Sequence, residues 1–301
     1  MVTPQRPPLA RLARPSSGAL AMVAIDQRES LRTMFTQALG EPALEPLVVD
    51  FKLAVAQALA PVASAMLFDR RYGTPAFEAA GTFPSCARIV AADDLTQPLG
   101  GPVEDSNIDF SVEPDEMRAR GAVALKLLVI WRGNENAARC IDLATRFMAR
   151  CRDAGLLGIV EAIVQPPLAP RGTFDRELAI VDAARRLAGA TPDLYKCQVP
   201  FGGRAKNDAM TQVFEQISNV VSCPWVVLSQ GVDIDDYPRA VELACRAGAS
   251  GFLAGRGIWA DTVGRGDYRA QLEAVSAPRL RRLAELVDAV ARPVPGTDIP
   301  A

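Results

Sequence analysis

At 301 residues, 49% hydrophobic and 23% charged, the chain is long enough to bury a large core. Its 33 basic residues nearly balance 35 acidic ones, a net charge of -2, so whole-chain electrostatics make no case for nucleic acid or an anionic membrane, and any anion site must be local. There is no histidine, which removes the commonest transition-metal ligand and the commonest general base together and excludes every histidine triad.

Residues 1–17 hold several prolines and arginines and no apolar stretch of signal-peptide length, and are expected to form a short disordered lead. No run anywhere is long enough to span a membrane. The apolar run Leu20 to Ile25 predicts a first strand, ending at Asp26-Gln27-Arg28, and Glu29 to Leu39 has helical spacing. Leu44 to Leu59 is a second helical stretch. Ser64 to Phe68 predicts the second strand, ending at the charged cluster Asp69-Arg70-Arg71-Tyr72, and Cys86 to Ala91 the third. The Pro-, Gly- and Asp-rich segment from Ala92 to Ser111 reads as a surface loop or insertion.

Ala124 to Trp131 is the fourth strand, Asn136 to Ala154 a helix stopped at Gly155, and Gly158 to Val164 the fifth strand. Pro166, Pro167 and Pro170 then shape a loop. Phe174 to Leu187 is helical, Leu194 to Val199 is the sixth strand and Asp208 to Val220 is helical. Pro224-Trp225 opens the seventh strand, which closes at Ser229-Gln230-Gly231. A helix from Asp236 to Arg246 precedes the eighth strand, Gly251 to Leu253, and a last helix spans Arg269 to Ala291.

Eight strands separated by helices favour a parallel sheet, and eight such units between residues 18 and 291 fit a single α/β domain, a closed (β/α)8 TIM barrel, with 292–301 as a Pro-rich tail. A doubly wound open sheet is the alternative. The six cysteines never form a Cys-x-x-Cys pair and lie mostly in apolar segments, as expected of reduced core thiols in a cytoplasmic protein.

Three successive strands each carry one charge inside an apolar run: Lys126, Glu161 and Lys196. In a barrel, side chains near the carboxyl ends of different strands converge, so these three can meet. A structural Lys-Glu-Lys ion triad satisfies the pattern, and so does a site in which a second cation leaves one lysine neutral and nucleophilic while the carboxylate moves protons. At the last two strand ends, Ser229, Gln230, Gly231, Gly255 and Arg256 offer a hydroxyl, backbone N–H groups and a guanidinium, either as turn residues with a solvated arginine or as an anion site. The adjacent Asp93 and Asp94 could suggest a metal pair, but neighbouring strand residues point apart, and neither metal nor cofactor is expected.

Asp26-Gln27-Arg28-Glu29, Ala124-Leu125-Lys126-Leu127-Leu128, Asp193-Leu194-Tyr195-Lys196, the Pro224 to Gly231 stretch and Gly251-Phe252-Leu253-Ala254-Gly255-Arg256 resemble, in order, the class I ketose-phosphate aldolases. Within that family the resemblance runs to the tagatose 1,6-bisphosphate branch and more closely to the 6-deoxy-6-sulfofructose-1-phosphate branch, over about Ser16 to Val290. It implies a cofactor-free lyase in which Lys196 forms an imine with dihydroxyacetone phosphate, Lys126 and Glu161 assist, and Asp26, Gln27 and Arg28 join the substrate pocket. The sulfosugar branch implies 3-sulfolactaldehyde as the second product, the tagatose branch glyceraldehyde 3-phosphate. Gln198 departs from the family's usual glutamate, and Gln165 stands near an arginine of the sulfosugar branch. The expected partners are a small-molecule ketose phosphate and further copies of the chain as a homo-oligomer, with neither nucleic acid nor membrane. A non-catalytic sugar-phosphate-binding barrel is the reading of a different class, and another Schiff-base barrel, transaldolase-like or of deoxyribose-phosphate type, is the enzymic alternative that the motif order disfavours.

Overall fold

Short β-branched and aliphatic runs, each followed by a helix, force the sheet of this chain to be parallel and covered on its outer face. The computed structural model describes residues 5–98, 100–169 and 172–297. In chain order it contains β1 (Leu20–Ile25), β2 (Ala65–Phe68), β3 (Ala87–Ala91), β4 (Asp93–Thr96), β5 (Asp105–Ile108), β6 (Ala122–Trp131), β7 (Leu157–Val164), β8 (Leu194–Cys197), β9 (Trp225–Val227) and β10 (Gly251–Ala254). Eight of these close a parallel barrel in the order β1-β2-β3-β6-β7-β8-β9-β10, with β10 pairing back onto β1. The open-sheet alternative is thereby excluded. Gly251 makes the closure possible: its φ is +134°, and a Cβ there would stand 2.0 Å from the Leu20 carbonyl oxygen.

Alternation along each strand sorts the side chains into two layers. Leu20, Met22 and Ala24 of β1 join the apolar cluster inside the barrel, while Ala21, Val23 and Ile25 pack outward against the helices. The inner cluster continues through Ala124, Ile159 and Leu194. Two residues further along the same strands, and so on the same inward face, stand Lys126, Glu161 and Lys196.

The structure corrects the expected organisation in four places. The lead is docked rather than disordered over its described part: Leu9–Leu12 forms a 3-10 turn, and fully buried Leu12 joins Val294 of the tail in the inner cluster, flooring the barrel. Arg14 Nε donates to both oxygens of Asp288 at 2.8 and 2.9 Å, and the Val294 N–H reaches the Gly18 carbonyl at 3.0 Å. Residues 1–4 and 298–301 lie outside the described residues, as does Pro170. Secondly, Arg70–Ala80 is a helix, and Asp69 caps it by accepting the Tyr72 N–H at 2.7 Å. Thirdly, the segment read as a loop after β3 holds the antiparallel β4–β5 hairpin. Finally, the last helical stretch is interrupted by a π-helical turn at Leu272–Ser276. No helix among the described residues is long and apolar enough to cross a membrane.

If the lead is part of the floor, Leu12→Ala should cost about 2–5 kcal/mol of unfolding free energy, the usual range for emptying a buried leucine site. Urea denaturation of the full chain measures it, and a variant as stable as the parent would return the lead to the status of a free tail.

Candidate active site

Above its apolar floor the barrel interior turns ionic within one layer. Glu161 lies directly across the β7–β8 ladder from Lys196 and across the β6–β7 ladder from Leu128, two residues beyond Lys126. That register puts one carboxylate between two amines: Glu161 Oε2 is 3.1 Å from Lys196 Nζ and 3.3 Å from Lys126 Nζ. The three residues that sequence pattern suggested would converge do so. Lys126 has two further carboxylates, Asp26 Oδ2 at 2.7 Å from the end of β1 and Asp93 Oδ2 at 2.8 Å from the start of β4.

Charge and burial give the two lysines different surroundings. Burial favours a neutral Lys126, yet Asp26, Asp93 and Glu161 together outweigh it and hold the ammonium well above the ordinary lysine range. Burial would likewise raise Asp26, but the Lys126 ammonium first, then Lys196 and Arg28, hold its carboxyl well below the usual carboxylate range. Lys126 is therefore a fixed cation with a saturated carboxylate shell. Lys196 has a single carboxylate partner among the described residues and opens into a cavity of about 250 Å³ at the mouth of the barrel.

Asp26, Gln27, Arg28, Ser229, Gln230, Gly255 and Arg256 line this cavity with Lys126, Glu161 and Lys196, whereas Gly231, expected to offer a backbone N–H, does not; it is exposed in the turn after Gln230. The Ser229 hydroxyl accepts the Gly257 N–H at 3.0 Å, leaving its own proton free to donate. Gly255 lets the ends of β10 and β1 touch, since a Cβ there would meet the Ala24 carbonyl oxygen at 2.7 Å. Gln27 Oε1 is buried without a partner among the described residues, an acceptor that a ligand hydroxyl can satisfy.

The two arginines differ as the two lysines do. Arg28 is engaged twice by Asp93, Nη1 donating to its carbonyl at 2.8 Å and Nη2 to Oδ1 at 2.9 Å. The Arg256 guanidinium has no ion pair or hydrogen bond among the described residues, and burial pulls it below its ordinary value. It is the uncommitted cation of the cavity. Arg70, which bonds Ser111 Oγ at 2.6 Å, lines a separate outer cavity that shares Arg28 with the inner one.

Sequence reasoning missed two features. Asp93, weighed only as half of a metal pair, points into the charge cluster, whereas Asp94 is exposed. Its signal was positional: an aspartate follows each of the first three barrel strands, Asp26, Asp69 and Asp93. The second is the cover formed by the β4–β5 hairpin, whose Leu95, Gln97, Pro102 and Val103 line the cavity. The two departures from the aldolase pattern lie outside the cavity lining. Gln198 Oε1 accepts the Val164 N–H at 2.7 Å within the barrel wall, and Gln165 holds the hairpin through its bond to the Val103 carbonyl at 2.6 Å.

With this geometry in hand, the profile of the DeoC/LacD family aldolases matches residues 20–261. Tagatose 1,6-diphosphate aldolase of Listeria monocytogenes is 29% identical over 276 residues, covering 82% of this chain and 79% of the relative. Tagatose 1,6-diphosphate aldolase 1 of Enterococcus faecalis is 26% identical over 269 residues, covering 82% and 81%. Among solved structures, fructose-bisphosphate aldolase from Plasmodium falciparum superposes with a TM-score of 0.73 over 97% of this chain and 99% of that one at 13% identity, a likeness of fold.

An unpaired, desolvated guanidinium gains most from an anion, so Arg256→Ala should raise KM for a phosphorylated substrate roughly ten- to a hundredfold, the equivalent of about 1.5–3 kcal/mol for a charge-assisted bond. Arg70→Ala should leave KM within a factor of about three, as expected of a solvated surface charge. Steady-state kinetics on both variants decide the point, and equal effects would remove Arg256 from the anion site.

Proposed function

This chain belongs to the DeoC/LacD family of aldolases and is a carbon–carbon lyase, and from that premise we propose that it is a class I, Schiff-base aldolase cleaving a ketohexose 1-phosphate to dihydroxyacetone phosphate and a three-carbon aldehyde. The observation that carries the reading is the unequal pair of lysines on one carboxylate, with Lys126 surrounded by three carboxylates and Lys196 in contact with one. A nucleophilic amine must reach the carbonyl it attacks, and Lys196 lines the cavity while keeping fewer carboxylate contacts than Lys126 among the described residues.

In this reading Lys196 Nζ adds to the C2 carbonyl, and loss of water leaves an iminium. A base removes the proton of the C4 hydroxyl, the C3–C4 bond breaks, and its electron pair moves into the iminium to form an enamine as the aldehyde departs. Protonation at C3 and return of the water release dihydroxyacetone phosphate. Glu161, whose Oε2 contacts both Lys196 and Lys126, is assigned the movement of these protons. Arg256, with Ser229, Gln230 and the backbone at Gly255, takes the 1-phosphate.

For the far carbon we propose a sulfonate, as in 6-deoxy-6-sulfofructose 1-phosphate, which gives 3-sulfolactaldehyde. A sulfonate carries one charge where a phosphate carries about 1.5–2 at neutral pH, and Asp93 pairs with Arg28, so among the described residues Arg256 alone of the two cavity arginines is uncommitted. The names of the curated relatives favour a second reading, tagatose 1,6-bisphosphate, which would give glyceraldehyde 3-phosphate. Six free cysteines, five of them buried, support a reducing cytoplasmic setting, and assembly with further copies of the chain belongs to the same proposal.

Incubation with dihydroxyacetone phosphate and borohydride should leave a reduced adduct on Lys196 alone, located by peptide mass spectrometry; an adduct on Lys126, or none, overturns the assignment. On the far carbon, kcat/KM should be highest for 6-deoxy-6-sulfofructose 1-phosphate among that sugar, tagatose 1,6-bisphosphate and fructose 1,6-bisphosphate. Should a bisphosphate be cleaved at least as well, the tagatose reading replaces the sulfosugar one with the imine chemistry unaltered.

A further inference from the structure

Asp93 stands two residues beyond barrel strand β3 and is the member of the charge cluster that belongs to the β4–β5 hairpin. It opens β4 of the hairpin, its side chain is 1% exposed, and every polar atom around it is accounted for. Oδ2 accepts from Lys126 Nζ at 2.8 Å and from the Leu128 N–H at 3.1 Å, Oδ1 accepts from Arg28 Nη2 at 2.9 Å, and its carbonyl accepts from Arg28 Nη1 at 2.8 Å. The Leu128 bond ties the carboxylate to the backbone of the strand that carries Lys126, so the aspartate cannot follow a side-chain rotation away from the ammonium. With Asp93 the site holds four cations, Arg28, Lys126, Lys196 and Arg256, against three carboxylates, Asp26, Asp93 and Glu161.

We infer that Asp93 is a positioning residue for the aldolase reaction: it clamps Lys126 and Arg28 in place, so that Lys126 serves as a standing cation and imine formation falls to Lys196. The inference rests on the Schiff-base reading above. Three consequences follow from the geometry. The two lysines cannot exchange roles while the clamp holds. Arg28 presents a neutralised guanidinium to the cavity, leaving Arg256 as the anion anchor. The hairpin that covers the cavity is fastened to the charge cluster at its first residue, so cover and proton machinery share one attachment.

Loss of the carboxylate has a calculable sign. The groups facing Lys126 are Asp26 from the end of β1, Glu161 from β7 and Asp93 from β4, with Lys196 and Arg28 bringing positive charge nearby. Removing one of three negative neighbours makes the ammonium easier to deprotonate. With Lys126 as the standing cation of the proposed reaction, loss of its proton ends activity at high pH, and that limb of the kcat–pH profile should move to lower pH in Asp93→Asn, by about one to three units for an opposite charge lost at contact distance. KM should move as well, because Arg28 is released into the cavity.

The experiment compares full-length wild type, Asp93→Asn and Asp93→Glu by kcat and KM across pH, with borohydride trapping of the wild type alongside. The expected result is a basic limb lowered in Asp93→Asn and retained in Asp93→Glu, whose charge is kept but whose kcat falls severalfold because the longer side chain displaces the clamp. An unshifted limb in Asp93→Asn, with Lys196 still trapped in the wild type, overturns the inference and leaves the Schiff-base reading standing. Should Asp93→Asn not fold, Asp93→Glu decides: wild-type kcat and KM would show that clamp geometry is immaterial and overturn it. Absence of trapping at Lys196 in the wild type overturns the reading itself, and the inference with it.

Discussion

A buried ammonium is the constraint from which the upper half of this barrel is built. Taking Lys126 out of water costs several kcal/mol, and only close, well-oriented carboxylates repay it. Three are supplied, from the end of β1, the start of β4 and the middle of β7, at 2.7, 2.8 and 3.3 Å. Since these elements are scattered over the sequence from residue 26 to residue 161, the ion cluster can form only once the barrel has closed. The charge of Lys126 is thus both a demand on the fold and a product of it. Lys196 enters the same network at its edge, through Glu161, and that peripheral position gives it access to the cavity, which is what the proposed imine chemistry asks of it.

The opposite end of the barrel has a separate task. Its interior is apolar, and it is stoppered by Leu12 from before β1 and Val294 from beyond the last helix. Between floor and mouth, fully buried Lys52 pairs with Asp69 and donates to the Ile25 carbonyl at 2.6 Å, securing the end of β1 just before Asp26. Asp69 in turn caps the helix Arg70–Ala80. One aspartate thus joins the second strand end, a helix start and the backbone below the active site. This division of labour, packing at the amino ends of the strands and chemistry at the carboxyl ends, is the general arrangement of (β/α)8 barrels.

The architecture was legible because each strand is a compact apolar run and each charge within it is conspicuous. β1 and the helix Glu29–Leu39 have the ends expected of them, and Lys126, Glu161 and Lys196 share an inward face because each sits two residues beyond an inward aliphatic. The failures also have physical causes. The helix Arg70–Ala80 opens with two arginines and contains Gly73 and Pro75, so its local signal is that of a charged turn. The β4–β5 strands are four residues long and flank a Pro- and Gly-rich tip, too short for alternation to show. Leu12 and Val294 lie in proline- and arginine-rich segments, where a single buried side chain leaves no pattern. Asp93 was hidden for a different reason: its partners lie 33 and 65 residues away, and its neighbour Asp94 invited a metal reading.

Asp93 also changes how the cavity's charge should be counted. From sequence, Arg28 and Arg256 are equivalent cations at the first and last strand ends, enough for two strongly charged groups. In the folded chain they are not equivalent, because Arg28 is bound through both a carboxylate and a carbonyl of one residue while the Arg256 guanidinium, in a desolvated wall, has no partner among the described residues. A second dianion in the same cavity would have to share Arg256 or pull Arg28 from Asp93, and the latter also strips a carboxylate from the setting of Lys126. A weakly charged far end avoids that competition and can be met by neutral donors such as Gln27 and Gln230. Under the proposed Schiff-base reaction, substrate selection and lysine protonation are coupled through one buried carboxylate, and the strength of the Arg28–Asp93 bond sets how much negative charge the far end of the proposed substrate can carry.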